Sequence, residues 1–215
     1  MVGIGCLLAI LAISFLLGSM PSGLIIGRLF YHVDIREQGS GNIGTTNAIR
    51  AMGKAGGFTV FAMDFAKGVI SGLLGVWLFG LMAGEDGSFG VEACKAVAFL
   101  GCAFGHIFSP WLGFHGGKGI AVSVGCLFVT FGPVGALIEL ALFIVLVVAT
   151  KYVSVGSIAA AVLCPFMSLW IFWGHPLPIA ICVIVGATVV WAHRENIGRL
   201  RAGNENRIGD KKKEG

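Results

Sequence analysis

Apolar residues fill this chain in seven runs, near 3–27, 56–80, 93–110, 119–131, 134–150, 154–173 and 177–192. A helix crosses the hydrocarbon core of a bilayer with about 20 apolar residues, within a range of about 17–25. All the runs but 119–131 come close to that length. The pattern predicts an all-α polytopic membrane protein with seven transmembrane helices. The fourth is tilted, partial or fused to the fifth across Gly132-Pro133. Hydropathy alone would count five or six. The first run resembles a signal-peptide core but lacks a basic flank, and it reads as a retained first span.

Composition points the same way. Only 12% of the 215 residues are charged, 56% are hydrophobic, and the mean hydropathy is +0.90. A soluble domain needs far more polar surface. One bundle of this length is one domain, so we expect a single integral-membrane domain over 1–200 and a basic tail over 201–215. The six cysteines lie in or beside apolar runs without Cys-x-x-Cys spacing. They read as small hydrophobes, not as disulfides or metal ligands.

Charge sets the expected orientation. Arg28, Arg36, Arg50 and Lys54 lie in the first connection, Lys118 in the third and Lys151 in the fifth. The second connection carries Glu85, Asp86 and Glu92. The tail carries Arg194, Arg199, Arg201, Arg207 and Lys211 to Lys213. Basic residues favour the cytoplasmic side, so the odd connections and the C-terminus are expected in the cytoplasm and the N-terminus outside. That alternation requires an odd number of spans. It also puts three polar segments, 36–50, 113–119 and 193–199, on one face. The net charge of +4 suits anionic lipid headgroups and anionic substrates.

These segments carry the candidate chemistry. The first runs Gly39-Ser40-Gly41-Asn42-Ile43-Gly44-Thr45-Thr46-Asn47 to Arg50. Its glycines permit backbone turns that aim N–H groups at an anion. Ser40, Asn42, Thr46 and Asn47 add neutral donors, and Arg36 and Arg50 add charge suited to phosphate. A loop with helix caps would use similar residues. The second is Gly113-Phe-His-Gly116-Gly117-Lys118-Gly119, entering a helix at Ile120, a plausible anion site. It is not a nucleotide P-loop, since Leu112 and Gly119 stand where Gly and Ser/Thr are needed. The third is His193-Arg194-Glu195-Asn196, where His193 and Asn196 share a helix face and Glu195 can pair with Arg199. Asp64 and Lys67 lie at membrane depth and can neutralise each other. Glu139 and His106 read as helix-packing hydrogen bonders. There is no His-x-x-x-x-Asp acyltransferase box and no His-Glu-x-x-His zinc motif, so neither a metal nor an organic cofactor is expected, and no nucleic acid.

Taken together, the segments closely resemble the bacterial acyl-phosphate:glycerol-3-phosphate acyltransferase family (PlsY-type). The resemblance spans Gly-Ser-x-Pro-Ser-Gly at 18–23, Asp34-x-Arg36-x-x-Gly39-Ser-Gly-Asn-x-Gly44-x-Thr46-Asn47, Asp64-x-x-Lys67-Gly68, Gly105-His106, Phe114-x-Gly-Gly-Lys-Gly119 and His193-Arg-Glu-Asn196-Ile. It implies transfer of a fatty acyl group from acyl phosphate to the 1-hydroxyl of sn-glycerol 3-phosphate. The products are lysophosphatidic acid and phosphate, at the start of phospholipid synthesis. It implies seven helices, an external N-terminus and a cytoplasmic active site in the bacterial inner membrane. Ser40, Arg50, Lys118, His193 and Asn196 match its catalytic positions. Gly39, Gly41, Asn42, Gly44, Thr46, Asn47, Gly116, Gly117 and Gly119 are expected to bind substrate phosphate. Arg36, Asp64, Lys67, His106 and Glu195 support them. The protein is expected to work as a monomer, coupled to the enzyme that makes acyl phosphate.

Acyl phosphate is already activated, so no covalent intermediate is required. Ser40, Asn196 and backbone N–H groups are expected donors, Arg50 and Lys118 offset phosphate repulsion, and His193 is a base or a phosphate ligand. The alternative class is a small transporter of a phosphorylated metabolite. It would suit buried charges and glycine-broken helices, but no internal repeat is evident.

Overall fold

A computed structural model describes residues 1–84 and 87–209. Glu85 and Asp86 of the second connection and Lys211 to Lys213 of the tail lie outside the described residues. Nine α-helices follow one another among those described: α1 Ile4–Ser19, α2 Ser22–Phe30, α3 Thr45–Met82, α4 Val91–Ile107, α5 Ile120–Thr130, α6 Gly132–Thr150, α7 Val153–Ile171, α8 Pro176–Ala192 and α9 Arg194–Arg201.

The first expected span is broken. Pro21 offers no backbone N–H and stops the helix, so α1 ends at Ser19 and α2 starts at Ser22. Carbonyls freed at the break need donors when water is absent. Lys67 Nζ donates to Met20 O at 2.6 Å and Ser109 Oγ to Ser19 O at 2.7 Å. Trp111 Nε1 donates to Ser19 Oγ at 2.9 Å. The Asp64-Lys67 pair is therefore part of the device that closes this break, with Nζ 2.8 Å from Asp64 Oδ1.

The second expected span, 56–80, begins 11 residues earlier, at Thr45. Residues 45–55 are too polar to register in an apolar pattern, yet they are helical on either side of a kink at Gly53 that joins them to the apolar span. Gly53, at φ 75°, makes that kink; glycine adopts that left-handed conformation without steric cost. The first polar segment is thus half loop and half helix.

The short fourth run becomes α5, with 11 residues and a length of about 17 Å. Its neighbour α6 has 19 residues and runs for about 29 Å. The two meet at Phe131-Gly132, and α5 is about 12 Å the shorter. Five helical stretches are long and apolar enough to span a membrane, or six if bent α8–α9 is one span. The length of α5 does not supply the expected seventh.

Glycines bring the helices together. A side chain on Gly105 would strike Phe15 O, and one on Gly101 would lie 2.6 Å from Leu11 O, so α4 packs backbone-close on α1. Gly68 and Gly125 join α3 and α5 in the same way, against Val122 O and Phe65 O. This is small-residue packing suited to lipid. All six cysteines are free and buried. Large apolar side chains such as Leu8, Phe58, Val145 and Phe166 face outward. Exposed Trp111 and Trp191 mark the Lys118 end of the bundle, and Trp77, Trp170 and Trp173 the opposite end, as interfacial belts do.

Candidate active site

Asn47 organises the first segment. Buried at the start of α3, its Nδ2 lies 2.9 Å from each of the carbonyls of Ile35, Gln38 and Asn42. Its Oδ1 accepts from Ser40 N at 2.8 Å. Gly41 N donates to Gln38 O at 2.9 Å, and Gly44 N to Asn42 Oδ1 at 2.9 Å. The polar atoms expected to meet phosphate in Asn47, Ser40 N, Gly41 N and Gly44 N are therefore used to shape the loop. Arg36 is also committed. Its Nε and Nη2 grip Asp34 at 2.9 and 2.6 Å, and Arg28 joins at 2.8 Å. The Arg36 hydrogen bond, set against a smaller cost of burial, holds Asp34 well below the usual carboxylate range. Left without hydrogen bonds among the described residues are the exposed Ser40 Oγ, the Arg50 guanidinium, and the N–H groups of Thr45 and Thr46 at the N-terminus of α3.

The second segment folds back on α4. Gly116 N donates to Ile107 O and Gly117 N to His106 O, both at 3.0 Å. These amides satisfy the end of α4 and do not point at a ligand, contrary to the sequence expectation. Glycine is required for closeness: a side chain on Gly117 would strike His106 Nε2, and one on Gly116 His106 O. His106 is buried beneath the loop, with Nδ1 3.9 Å from Asp64 Oδ1, so Asp64, Lys67 and His106 form a brace under the site. Past the loop, Gly119 at φ 81° turns the chain into α5. The first-turn N–H groups of α5 and the Lys118 ammonium then share one end, a geometry that favours anions.

The third segment begins where α8 bends by 52° into α9. His193 Nδ1 lies 2.8 Å from Val189 O. A carbonyl only accepts, so Nδ1 carries the proton and Nε2 presents the ring's lone pair when the imidazole is neutral. One N–H of the Asn196 amide, an expected donor to substrate, is already engaged. Its Nδ2 donates to Glu205 Oε1 at 2.6 Å, while its Oδ1 is buried without a partner. Glu195 is largely exposed and 3.9 Å from Arg199 Nη1.

Glu205 was not anticipated. It is buried, and it also accepts from Arg199 Nε at 2.7 Å and Ser154 Oγ at 3.1 Å. Desolvation opposes its ionisation, but the Asn196 and Arg199 hydrogen bonds bring it below the ordinary glutamate range. Ile208 N donates to Lys151 O at 2.8 Å, and Arg207 stacks over Tyr152. The described start of the expected tail is thus docked on the bundle. The faint signal was one carboxylate between Arg201 and Arg207.

The three segments converge at Lys118. Burial, then Arg199 and more weakly Arg50, push its ammonium below the usual lysine range, against Glu205 and Glu195. The Lys118 charge also reaches His193. No group of three or more His, Cys, Asp or Glu is placed to hold a metal among the described residues.

Residues 8–203 match the family described as glycerol-3-phosphate acyltransferase. This chain belongs to the glycerol-3-phosphate acyltransferase family. Family relatives bearing that name include one from Rhodopseudomonas palustris strain HaA2, 36% identical over 97% of this chain and 99% of its own. Another, from Trichodesmium erythraeum, is 40% identical over 94% of this chain and 92% of its own. The fold is similar to crystal structures of PlsY, an integral membrane glycerol 3-phosphate acyltransferase. Its glycerol 3-phosphate form has a TM-score of 0.82 and 35% identity over 94% of this chain and 96% of that one. Its lysophosphatidic acid form has a TM-score of 0.80 and 33% identity, over 94% and 95%. The match to the acyltransferase family takes in all three polar segments and stops two residues before Glu205.

Proposed function

We propose that this protein transfers a fatty acyl group from acyl phosphate to the 1-hydroxyl of sn-glycerol 3-phosphate, releasing phosphate and lysophosphatidic acid. The observation that carries the reading is that Arg50 and Lys118, cations without hydrogen-bond partners among the described residues, act electrostatically on one another. Each stands near a helix N-terminus, and the Arg50 charge reaches Lys118. Two phosphate-bearing substrates repel each other, and two cations offset that repulsion. The glycerol oxygen attacks the acyl carbonyl, the bond from that carbon to the phosphate oxygen breaks, and the departing phosphate takes the hydroxyl proton. No acyl-enzyme is needed, so Ser40 binds substrate through its hydroxyl. His193 Nε2 is a hydrogen-bond acceptor at the same face.

The acyl chain has a path. An apolar cavity between α4, α5, α6, α7 and α8 starts under Gly119 at Ile120 and Val189 and continues past Val124, Leu127, Leu140 and Phe143. A side chain on Gly119, the residue after Lys118, would lie 3.7 Å from Val189, which lines that cavity. We assign the site to the cytoplasmic side, with the N-terminus outside and seven crossings counting α5, because the basic connections all lie at this end.

The test uses purified protein in detergent with palmitoyl phosphate and glycerol 3-phosphate. Phosphate release is expected only with both substrates present and undiminished in EDTA. Arg50→Ala is expected to lower kcat/KM at least 100-fold, about 3 kcal/mol of transition-state stabilisation, while remaining monodisperse. Wild-type turnover in Arg50→Ala removes it from the site, and release without glycerol 3-phosphate removes the reaction.

A further inference from the structure

Glu205 decides which atom Asn196 offers to a ligand. A carboxylate only accepts hydrogen bonds, so the Asn196 amide has to turn its NH₂ to Glu205 Oε1, 2.6 Å away. The carbonyl end, Oδ1, is thereby directed elsewhere. It is buried and has no hydrogen-bond partner, an unfavourable state unless a ligand brings a donor. Glu205 is itself fixed by Ser154 at the start of α7 and by Arg199 on α9, so the amide orientation is built in before substrate arrives. Ionised phosphate oxygens accept and cannot satisfy Oδ1. An alcohol can.

We propose that Glu205 is a positioning residue that sets Asn196 Oδ1 as the acceptor for a hydroxyl of the polyol substrate. This rests on the acyl-transfer reading above. It divides recognition in two: Arg50, Lys118 and the helix N-termini hold phosphate, and Asn196 Oδ1 reads the alcohol. The division has a sign that a structural role lacks. The Glu205 charge faces Lys118 and Arg199, so it opposes phosphate binding while it supports alcohol binding.

The experiment is calorimetric titration of the full chain in detergent with glycerol 3-phosphate and, separately, with inorganic phosphate. Glu205→Ala is expected to weaken glycerol 3-phosphate about tenfold, the effect of one hydrogen bond, and to bind inorganic phosphate as tightly as wild type or tighter. Glu205→Gln keeps a carbonyl oxygen for Asn196 Nδ2 and is expected to retain glycerol 3-phosphate affinity within about threefold. Adding Glu205→Ala to Asn196→Ala is expected to cost nothing further, because the two residues act as one unit. Parallel losses for both ligands, or unchanged glycerol 3-phosphate affinity in Glu205→Ala, overturn the proposal. A wild type that binds glycerol 3-phosphate no better than phosphate instead defeats the substrate reading, before any variant is compared.

Discussion

At the scale of single residues, the site separates groups that build from groups that are left to bind. Asn47, Arg36, Gly116 and Gly117 build, since their polar atoms are spent on the loops and on α4. Arg50, Lys118, Ser40 Oγ and His193 Nε2 are left over. Lys118 is the most pH-sensitive of these. Burial and neighbouring cations lower its proton affinity, and the ammonium is the form that attracts phosphate. As pH rises, kcat/KM is therefore expected to fall at a pH below that of an ordinary lysine. Lys118→Arg stays charged and should move that alkaline limb upward at a lower plateau. A pH-rate profile of the two proteins checks this, and coincident limbs would separate Lys118 from the effect.

Among elements, the interrupted first helix and the short α5 matter most. Pro21 opens carbonyls in the bundle, and Lys67 on α3 closes them while paired with Asp64. Removing one member of a buried ion pair strands the other and costs about 3–5 kcal/mol. Lys67→Met should therefore lower the melting temperature in detergent sharply. Lys67→Met with Asp64→Leu should recover much of the loss, because no charge is then stranded. Equal melting of both variants and wild type would remove this pair from the scaffold. Lys67 and Asp64 were legible as a pair from their spacing of three. Their target was not, since Met20 is 47 residues away from Lys67 in sequence.

For the whole molecule, the helices carry three distant segments to one end. Labelling measures which end faces the cytoplasm. Cysteine at Gly174, in the connection before α8, is expected to react with a membrane-impermeant maleimide in intact cells. Cysteine at Lys54 is expected to react only after the membrane is opened. The reverse pattern would invert the orientation. The native cysteines are buried and leave a low background.

Local composition by itself determined the membrane class, most helix positions and the three polar segments, because lipid demands long apolar runs and makes polar exceptions conspicuous. Whether a polar atom in those segments is free depended on hydrogen-bond partners far along the chain. Only the tertiary structure decided that. It turned glycine amides thought to bind phosphate into helix closures, extended α3 into the first motif, and brought Glu205 from the tail to Asn196. The physical reason is that polar groups in a bundle are satisfied by contacts across helices, and those contacts leave no periodic trace in the sequence.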